Sequence, residues 1–275
     1  MDIRSQGLYL GLLSVTLISM SGTSHAVSVS SDQRQLNING EVSSYNQRNS
    51  WNEQAFADAN EAIFNKSLSQ TETLNANTST SNASISSSIT STNNQTVFAG
   101  NGNAYSYVSS VHETNPRFRH QRANSFSEYE ITFTLTEAAS FDLIGSLFYD
   151  ETTAGNRYGG AVFSLTNNDY NAPGFSLVLG NSYSNNNFNQ AIQLSGVLDP
   201  GSYRLEAYAK SNISTYNYGY GPDTSEINAG YDFNFTLNQG LNNTPPQVPV
   251  PAAAWLFGSA LLSLVNIQRM KKITD

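Results

Sequence analysis

The sequence predicts an all-β protein, an antiparallel β-sandwich of jelly-roll type. Residues Glu128 to Leu135 alternate over eight positions, setting Tyr129, Ile131, Phe133 and Leu135 on one face of a strand and Glu128, Glu130, Thr132 and Thr134 on the other. Short apolar runs of the same kind recur as far as Tyr231, Phe233, Phe235 and Leu237. They are punctuated by turn chemistry such as Asp199-Pro200-Gly201, with no long helical pattern between them.

Taken in order, Arg4 precedes an apolar stretch from Leu8 to Met20, and Ser24 and Ala26 put small residues where a signal peptidase reads. Residues 1–26 are therefore expected to be a signal helix, removed before Val27. Residues 27–100 read as a low-complexity, Ser/Thr/Asn-rich N-terminal part of the body. Val27, Val29, Leu36 and Ile38 fall at strand spacing there, and Asn39-Gly40 is a two-residue hairpin signal. Residues 53–68 fit two readings: Phe56, Ala59, Ala62 and Ile63 have helical spacing, whereas Phe64, Lys66 and Leu68 begin a strand. From Leu74 to Thr96 the composition reads as disorder, while Ala83, Ile85 and Ile89 among serines and threonines suit a half-buried strand over 82–90.

Residues 101–240 are expected to form the sandwich core. After the strand at 128–135 come Phe141, Leu143 and Leu147, then Val162, Phe163 and Leu165, then Phe175, Leu177 and Leu179. The Asp199-Pro200-Gly201 turn separates Ile192, Leu194 and Val197 from Tyr203, Leu205 and Ala207.

The C-terminus changes character. Residues 241–251 are a Pro-rich spacer containing Val248-Pro249-Val250-Pro251, and residues 252–275 are an apolar helix with a basic tail. Trp255, Leu256, Phe257, Leu261, Leu262 and Leu264 lie in an apolar run that would span about 24 Å as a helix, a little short of a hydrocarbon core of about 30 Å. Arg269, Lys271 and Lys272 then act as a basic stop that leaves the body outside the membrane, with Trp255 at the interface. The string VPVPAAAWLFGSALLSL closely resembles the VPLPA-type variant of the PEP-CTERM sorting signals of Gram-negative bacteria. That resemblance implies handling by an exosortase-type membrane enzyme at the Pro-x-Pro motif, in cells that make extracellular polysaccharide. The tail is then either cleaved or kept as an anchor. The first-described form of the family carries Glu between its prolines, where this chain has Val250.

Composition excludes more than it assigns. Without its two ends the chain has 9 basic and 19 acidic residues, a balance of −10, which disfavours nucleic acid as a partner. There is no cysteine, so neither thiol chemistry nor a disulfide framework is available and a hydrophobic core must hold the fold. His112 and His120 lack zinc-ligand spacing, and no nucleophile elbow, phosphate loop or dinucleotide fingerprint occurs. Asp142, Asp150, Glu151, Asp169, Asp223 and Asp232 offer oxygens, but in no calcium-loop run. Neither metal nor cofactor is expected, and adjacent carboxylates such as Asp150 and Glu151 point to opposite faces of a strand, a poor start for a hydrolase.

Two surface features remain. Arg117, Arg119 and Arg122 with His112 and His120 form a basic cluster, either a partner site for an anionic glycan or for the protein's own acidic face, or else a solvated loop or charged edge strand. Tyr216, Tyr218 and Tyr220 alternate in a Gly- and Asn-rich setting, following Tyr203 and Tyr208, and offer either a flat platform for sugar rings or a loop packing its own rings. The expected function is a structural, non-enzymatic envelope or matrix protein of a Gram-negative bacterium. It would pass through an inner-membrane-anchored intermediate to the cell surface and associate with exopolysaccharide. The alternative is a carbohydrate-binding module with an aromatic surface; a glycan-active enzyme ranks behind both.

Overall fold

The computed structural model describes residues 27–44, 47–57, 61–92, 94–110, 119–152, 156–168, 175–184, 186–217 and 223–239. Among them thirteen strands follow one another without a helix: β1 (Val27–Asp32), β2 (Gln35–Ser44), β3 (Gln47–Phe56), β4 (Ile63–Leu74), β5 (Asn77–Ser91), β6 (Gln95–Ser110), β7 (Arg119–Leu135), β8 (Ala139–Thr152), β9 (Asn156–Asn167), β10 (Ser176–Ser184), β11 (Phe188–Leu198), β12 (Gly201–Asn217) and β13 (Asp223–Asn238). The expected signal helix and membrane helix lie outside the described residues.

The strands form two antiparallel sheets. The front sheet runs β10-β9-β12-β7-β2-β3, with β1 also on β7, and the back sheet runs β11-β8-β13-β6-β5-β4. From β6 onward the chain is an antiparallel ribbon folded back on itself: β6 pairs with β13, β7 with β12, β8 with β11 and β9 with β10. Wrapping that ribbon lays β13 beside β8 in one sheet and β12 beside β9 in the other, which is the jelly-roll path. The first five strands widen it. β1 and β2 lie end to end along β7, β3 flanks β2, and the β4-β5 hairpin flanks β6.

The face assignment read from alternation holds: Tyr129, Ile131, Phe133 and Leu135 are all buried between the sheets. Phe133 stacks on Phe98 and Tyr203 at 5.2 and 5.7 Å between centroids, and Tyr129 meets Phe233 edge-on at 4.9 Å. The other part of the interior is polar. Ser79, Ser81, Ser106, Ser125, Ser127 and Ser211 are buried, and most bond across the gap to backbone carbonyls of the facing sheet. Ser79 donates to Arg122 O at 3.1 Å and Ser81 to Asn39 O at 3.2 Å; Ser125 donates to Tyr105 O at 2.6 Å and Ser127 to Ser84 O at 2.9 Å. Serine is small enough to let the sheets approach and polar enough to use the carbonyls it meets.

Four sequence expectations are corrected or resolved. Within 74–96, Asn77–Ser91 form the ordered strand β5, in which Asn77, Ser79, Ser81, Ala83, Ile85 and Ser87 all point inward at period two. Residues 53–68 contain no helix among those described: they hold the end of β3 and the start of β4. Asn39-Gly40 is not a hairpin but the middle of β2, where Gly40 leaves room for Trp51: a Cβ there would lie 2.1 Å from Trp51 Cζ2. Nor does the sandwich respect the compositional boundary at residue 100, since β6 crosses it and β1 to β5 belong to the same two sheets.

Candidate functional site

The outer face of the front sheet brings amide, aromatic and charged side chains together over two adjoining hollows. Strand register arranges them in rows. Asn39, Asn124, Asn212 and Tyr158 stand side by side across β2, β7, β12 and β9; the next row is Asn37, Phe126, Lys210 and Gly160; the next is Gln35, Glu128, Tyr208 and Val162. The even-numbered residues of β7 and β12 point outward because the odd-numbered ones fill the core, so the hydrophobic pattern that builds the sandwich also builds this face.

A hollow of about 450 Å³ opens over the first two rows, lined by Asn37, Asn39, Asn124, Asn212, Phe126 and Lys210 among others. A smaller one of about 210 Å³ adjoins it, walled by Glu128, Glu206, Tyr208 and Tyr183, and it shares Phe126 and Lys210. Together they form a trough. Its far wall is the irregular end of β10, where the register shifts between Asn181 and Ser184. Gly160 permits this, because a Cβ there would lie 1.9 Å from Asn181 O. The Tyr208 hydroxyl bonds Ser182, tying the bulge down.

Four rings line the trough. Phe126 and Tyr208 pack at 6.0 Å, and Tyr158 and Tyr183 at 5.8 Å. Tyr183 is 66% exposed and Tyr158 37%, so both present free ring surface. Lys210 Nζ sits 4.8 Å from the Tyr158 centroid and 5.8 Å from that of Tyr183. With the Asn124 amide turned so that its oxygen faces Arg122, that oxygen accepts from Nε at 2.6 Å and from Nη2 at 3.0 Å. Its nitrogen then donates to Asn212 Oδ1 at 3.2 Å.

One end of the trough is acidic. Glu128, Glu130 and Glu206 bring carboxylate oxygens within 4.8 Å of one another. Arg204 supplies the counter-charge, 2.7 Å from Glu130 and 3.5 Å from Glu206. Burial pushes the Glu128 carboxyl above its ordinary value; the Gln35 amide, which donates to it, pulls the other way, and Glu130 and Glu206 add repulsion. This cluster escapes a linear reading because Glu206 lies far along the chain and arrives through the β12–β7 register.

The residues singled out from sequence fare differently. Tyr218 and Tyr220 lie outside the described residues; Tyr216 is the next-to-last residue of β12, its backbone opposite His120, and its side chain is not among those described. The sorting motif Val248, Pro249, Val250 and Pro251, the apolar Trp255, Leu256, Phe257, Leu261, Leu262 and Leu264, and the stop Arg269, Lys271 and Lys272 also lie outside. Of the basic cluster, Arg119, His120 and Arg122 sit on β7, though the Arg119 side chain is not among those described, with His120 Nδ1 3.4 Å from Glu41 and Nε2 3.1 Å from Ser214 Oγ; His112 and Arg117 lie outside the described residues. Asp150 and Glu151 do diverge, Asp150 accepting from Asn187 and Glu151 from Tyr149 and Arg157. The rings that share the face, Phe126, Tyr158, Tyr183 and Tyr208, were legible only in part. The alternation that put Tyr129 inside also puts Phe126 outside, but nothing local places Tyr183 over β9.

No protein-family model matches the chain, and no curated protein matches it either. Solved structures show distant likeness. TmCBM61 in complex with β-1,4-galactotriose is 10% identical over 56% of this chain and 86% of its own, with a TM-score of 0.19. The infectious bursal disease virus Gt strain structure is 10% identical over 85% and 73%, with a TM-score of 0.19. The enzymatically active domain of bacteriophage CBA120 tailspike protein 4 is 14% identical over 55% and 19%, with a TM-score of 0.17. Likeness this slight carries no functional argument.

Proposed function

We propose that the body of this chain is a non-catalytic glycan-binding sandwich, exported and sorted to the envelope by its two ends. The observation that carries the binding half is the trough on the front sheet, where exposed tyrosine rings stand beside a row of asparagine amides. Ring faces stack on the apolar faces of sugars, and amides supply both donors and acceptors to sugar hydroxyls. No step of chemistry is assigned to Glu128, Glu130 and Glu206, since Arg204 and Gln35 occupy their oxygens.

The test is titration of the protein against a panel of bacterial and plant polysaccharides, with product analysis for chain cleavage. Tyr158→Ala with Tyr183→Ala should weaken binding about tenfold or more while the thermal midpoint stays near that of the parent, because these rings are exposed. A parallel Tyr216, Tyr218 and Tyr220 triple alanine variant asks whether the platform expected from sequence contributes. Binding insensitive to Tyr158 and Tyr183 would move the site off the trough, and release of shorter glycans would restore the enzyme reading.

Localisation rests on the ends of the chain. In this proposal an exosortase-type enzyme acts at Val248 to Pro251, after Arg269, Lys271 and Lys272 have held the precursor in the inner membrane, and the body then meets exopolysaccharide at the surface. Intact mass of surface-released protein should end near Pro251. Released protein that still contains Trp255 to Leu264 would contradict cleavage.

A further inference from the structure

We infer that the trough takes an anionic glycan, a polyuronate-type chain whose carboxylates are received by Lys210 and Arg122. This rests on the glycan-binding reading above and adds the charge class of the ligand.

The argument starts from how the protein spends its few cations. The body carries 9 basic residues against 19 acidic ones, so a carboxylate partner is rarely far away. Arg34 pairs with Asp32, Arg48 with Glu41, Arg157 with Glu151, and Arg204 with Glu130 and Glu206. Among the described residues Lys66, Lys210 and Arg122 form no ion pair; Lys66 stands exposed on β4, whereas Lys210 and Arg122 wall the same hollow. Arg122 even has Glu41 directly opposite it on β2, yet that carboxylate turns to Arg48 at 2.6 Å and His120 at 3.4 Å.

Both cations are held in place without being neutralised. Lys210 lies against the tyrosine faces, which orient an ammonium but leave its protons for an acceptor. With the Asn124 amide turned as above, Arg122 uses Nε and Nη2 on its oxygen, which leaves Nη1 to donate elsewhere. On β12 register, Arg122 stands opposite Ser214 and Phe126 opposite Lys210, a separation of four residues or about 13 Å along the strands. The two cations therefore address different sugar units, with the asparagine row between them for hydroxyls.

The acidic end adds polarity. Glu128, Glu130 and Glu206 outnumber Arg204, so an anionic chain is repelled there and drawn towards the Arg122 end. The position of the glycan along the trough is biased accordingly.

The test uses the protein with matched polymers that differ only in charge, in chelator so that calcium bridging plays no part. Polygalacturonate is compared with its methyl ester, alginate with its carboxyl-reduced form, and single-stranded DNA serves as a polyanion without sugar carboxylates. The free-acid polymer of at least one pair should bind about tenfold more tightly than its neutral partner, with an affinity that falls as salt rises. Lys210→Met and, separately, Arg122→Gln should each cut the ratio of free-acid to neutral affinity about fivefold or more; because Arg122 is exposed, its variant guards against misfolding in the other. Equal affinity for charged and neutral partners, or a preference untouched by both substitutions, overturns the anionic assignment while leaving glycan binding standing. DNA binding as tightly as the best polyuronate also overturns it. Binding to no polymer in any pair removes the glycan reading and this inference with it.

Discussion

Arg34 is the fully buried guanidinium between β1 and β2, and its surroundings show what one residue contributes to closing the sandwich. Nε donates to Asp32 at 2.8 Å and Nη1 to Ser87 Oγ at 3.0 Å, while Nη2 reaches the Glu61 carbonyl and Asp32. The Phe64 and Tyr129 rings lie 5.9 Å away on centroid distance. One side chain therefore joins the front-sheet edge to β4 and β5. Because the Asp32 side chain is only 2% exposed, Arg34→Ala leaves a buried, unpaired carboxylate. We expect a loss of about 3 to 5 kcal/mol in urea unfolding; a loss under about 1 kcal/mol would show that water reaches Asp32. Glu128 makes the complementary forecast. Its carboxyl titrates above the ordinary 4.5, so between that value and its folded one the native state holds a proton that the unfolded state releases. Parent stability therefore falls as pH rises through that window, and Glu128→Gln, whose amide oxygen still accepts from Gln35, removes the penalty. Thermal melts should show no advantage for the variant in acid and a growing one towards neutrality; an advantage independent of pH would assign it to packing. Residue-scale roles such as these were only half legible. Alternation put Glu128 on the outer face, but its burial depends on Gln35 and Glu206, which arrive from other strands.

At the scale of elements, the β4–β5 hairpin corrects the sequence reading in an instructive way. The chain has Asn-Gly pairs at 39–40 and 101–102, both within strands, and turns instead at Asn75-Ala76, where both residues have positive φ, 49° and 62°. Two consecutive left-handed residues make the type I′ geometry that matches strand twist, and glycine is the residue the second position favours. Alanine tolerates it poorly. Ala76→Gly should therefore raise stability by about 1 kcal/mol, measured as a rise in urea midpoint with unchanged slope; a loss would mean the turn differs from this geometry. The signal misled because turn propensity is local, whereas Gly40 answers to the Trp51 ring on the neighbouring strand. The same distinction explains β5. Its serines look disordered by composition, and become interior residues only because carbonyls of the facing sheet are there to receive them. Strands with large alternating side chains, such as β7 and β13, needed no such partner to be read.

For the whole molecule, the question is whether the sandwich is the eight-strand ribbon or all thirteen strands. Topology favours the smaller unit, since β6 to β13 alone complete the jelly-roll path. Packing favours the larger. Leu36, Ile38, Val42, Phe64, Ala83 and Ile85 from the first five strands are buried, and all except Val42 belong to the common core. Without those strands β6 and β7, of 16 and 17 residues, would each present a long unpaired edge. Edges of that length, beside an uncovered apolar interior, pair with other chains. We therefore expect residues 27–239 to be a β-rich monomer and residues 95–239 to associate or unfold, as read by light scattering after size exclusion and by far-ultraviolet circular dichroism. A monomeric 95–239 melting at the parent temperature would make the first five strands an accessory layer. The proposed glycan binding would still suffer in that shortened chain, because β2 supplies Gln35, Asn37 and Asn39 to the trough that β7 and β12 floor. Comparing fold and binding in the same truncated protein thus separates the two contributions of β2: its inward residues hold the sandwich, and its outward ones complete the site.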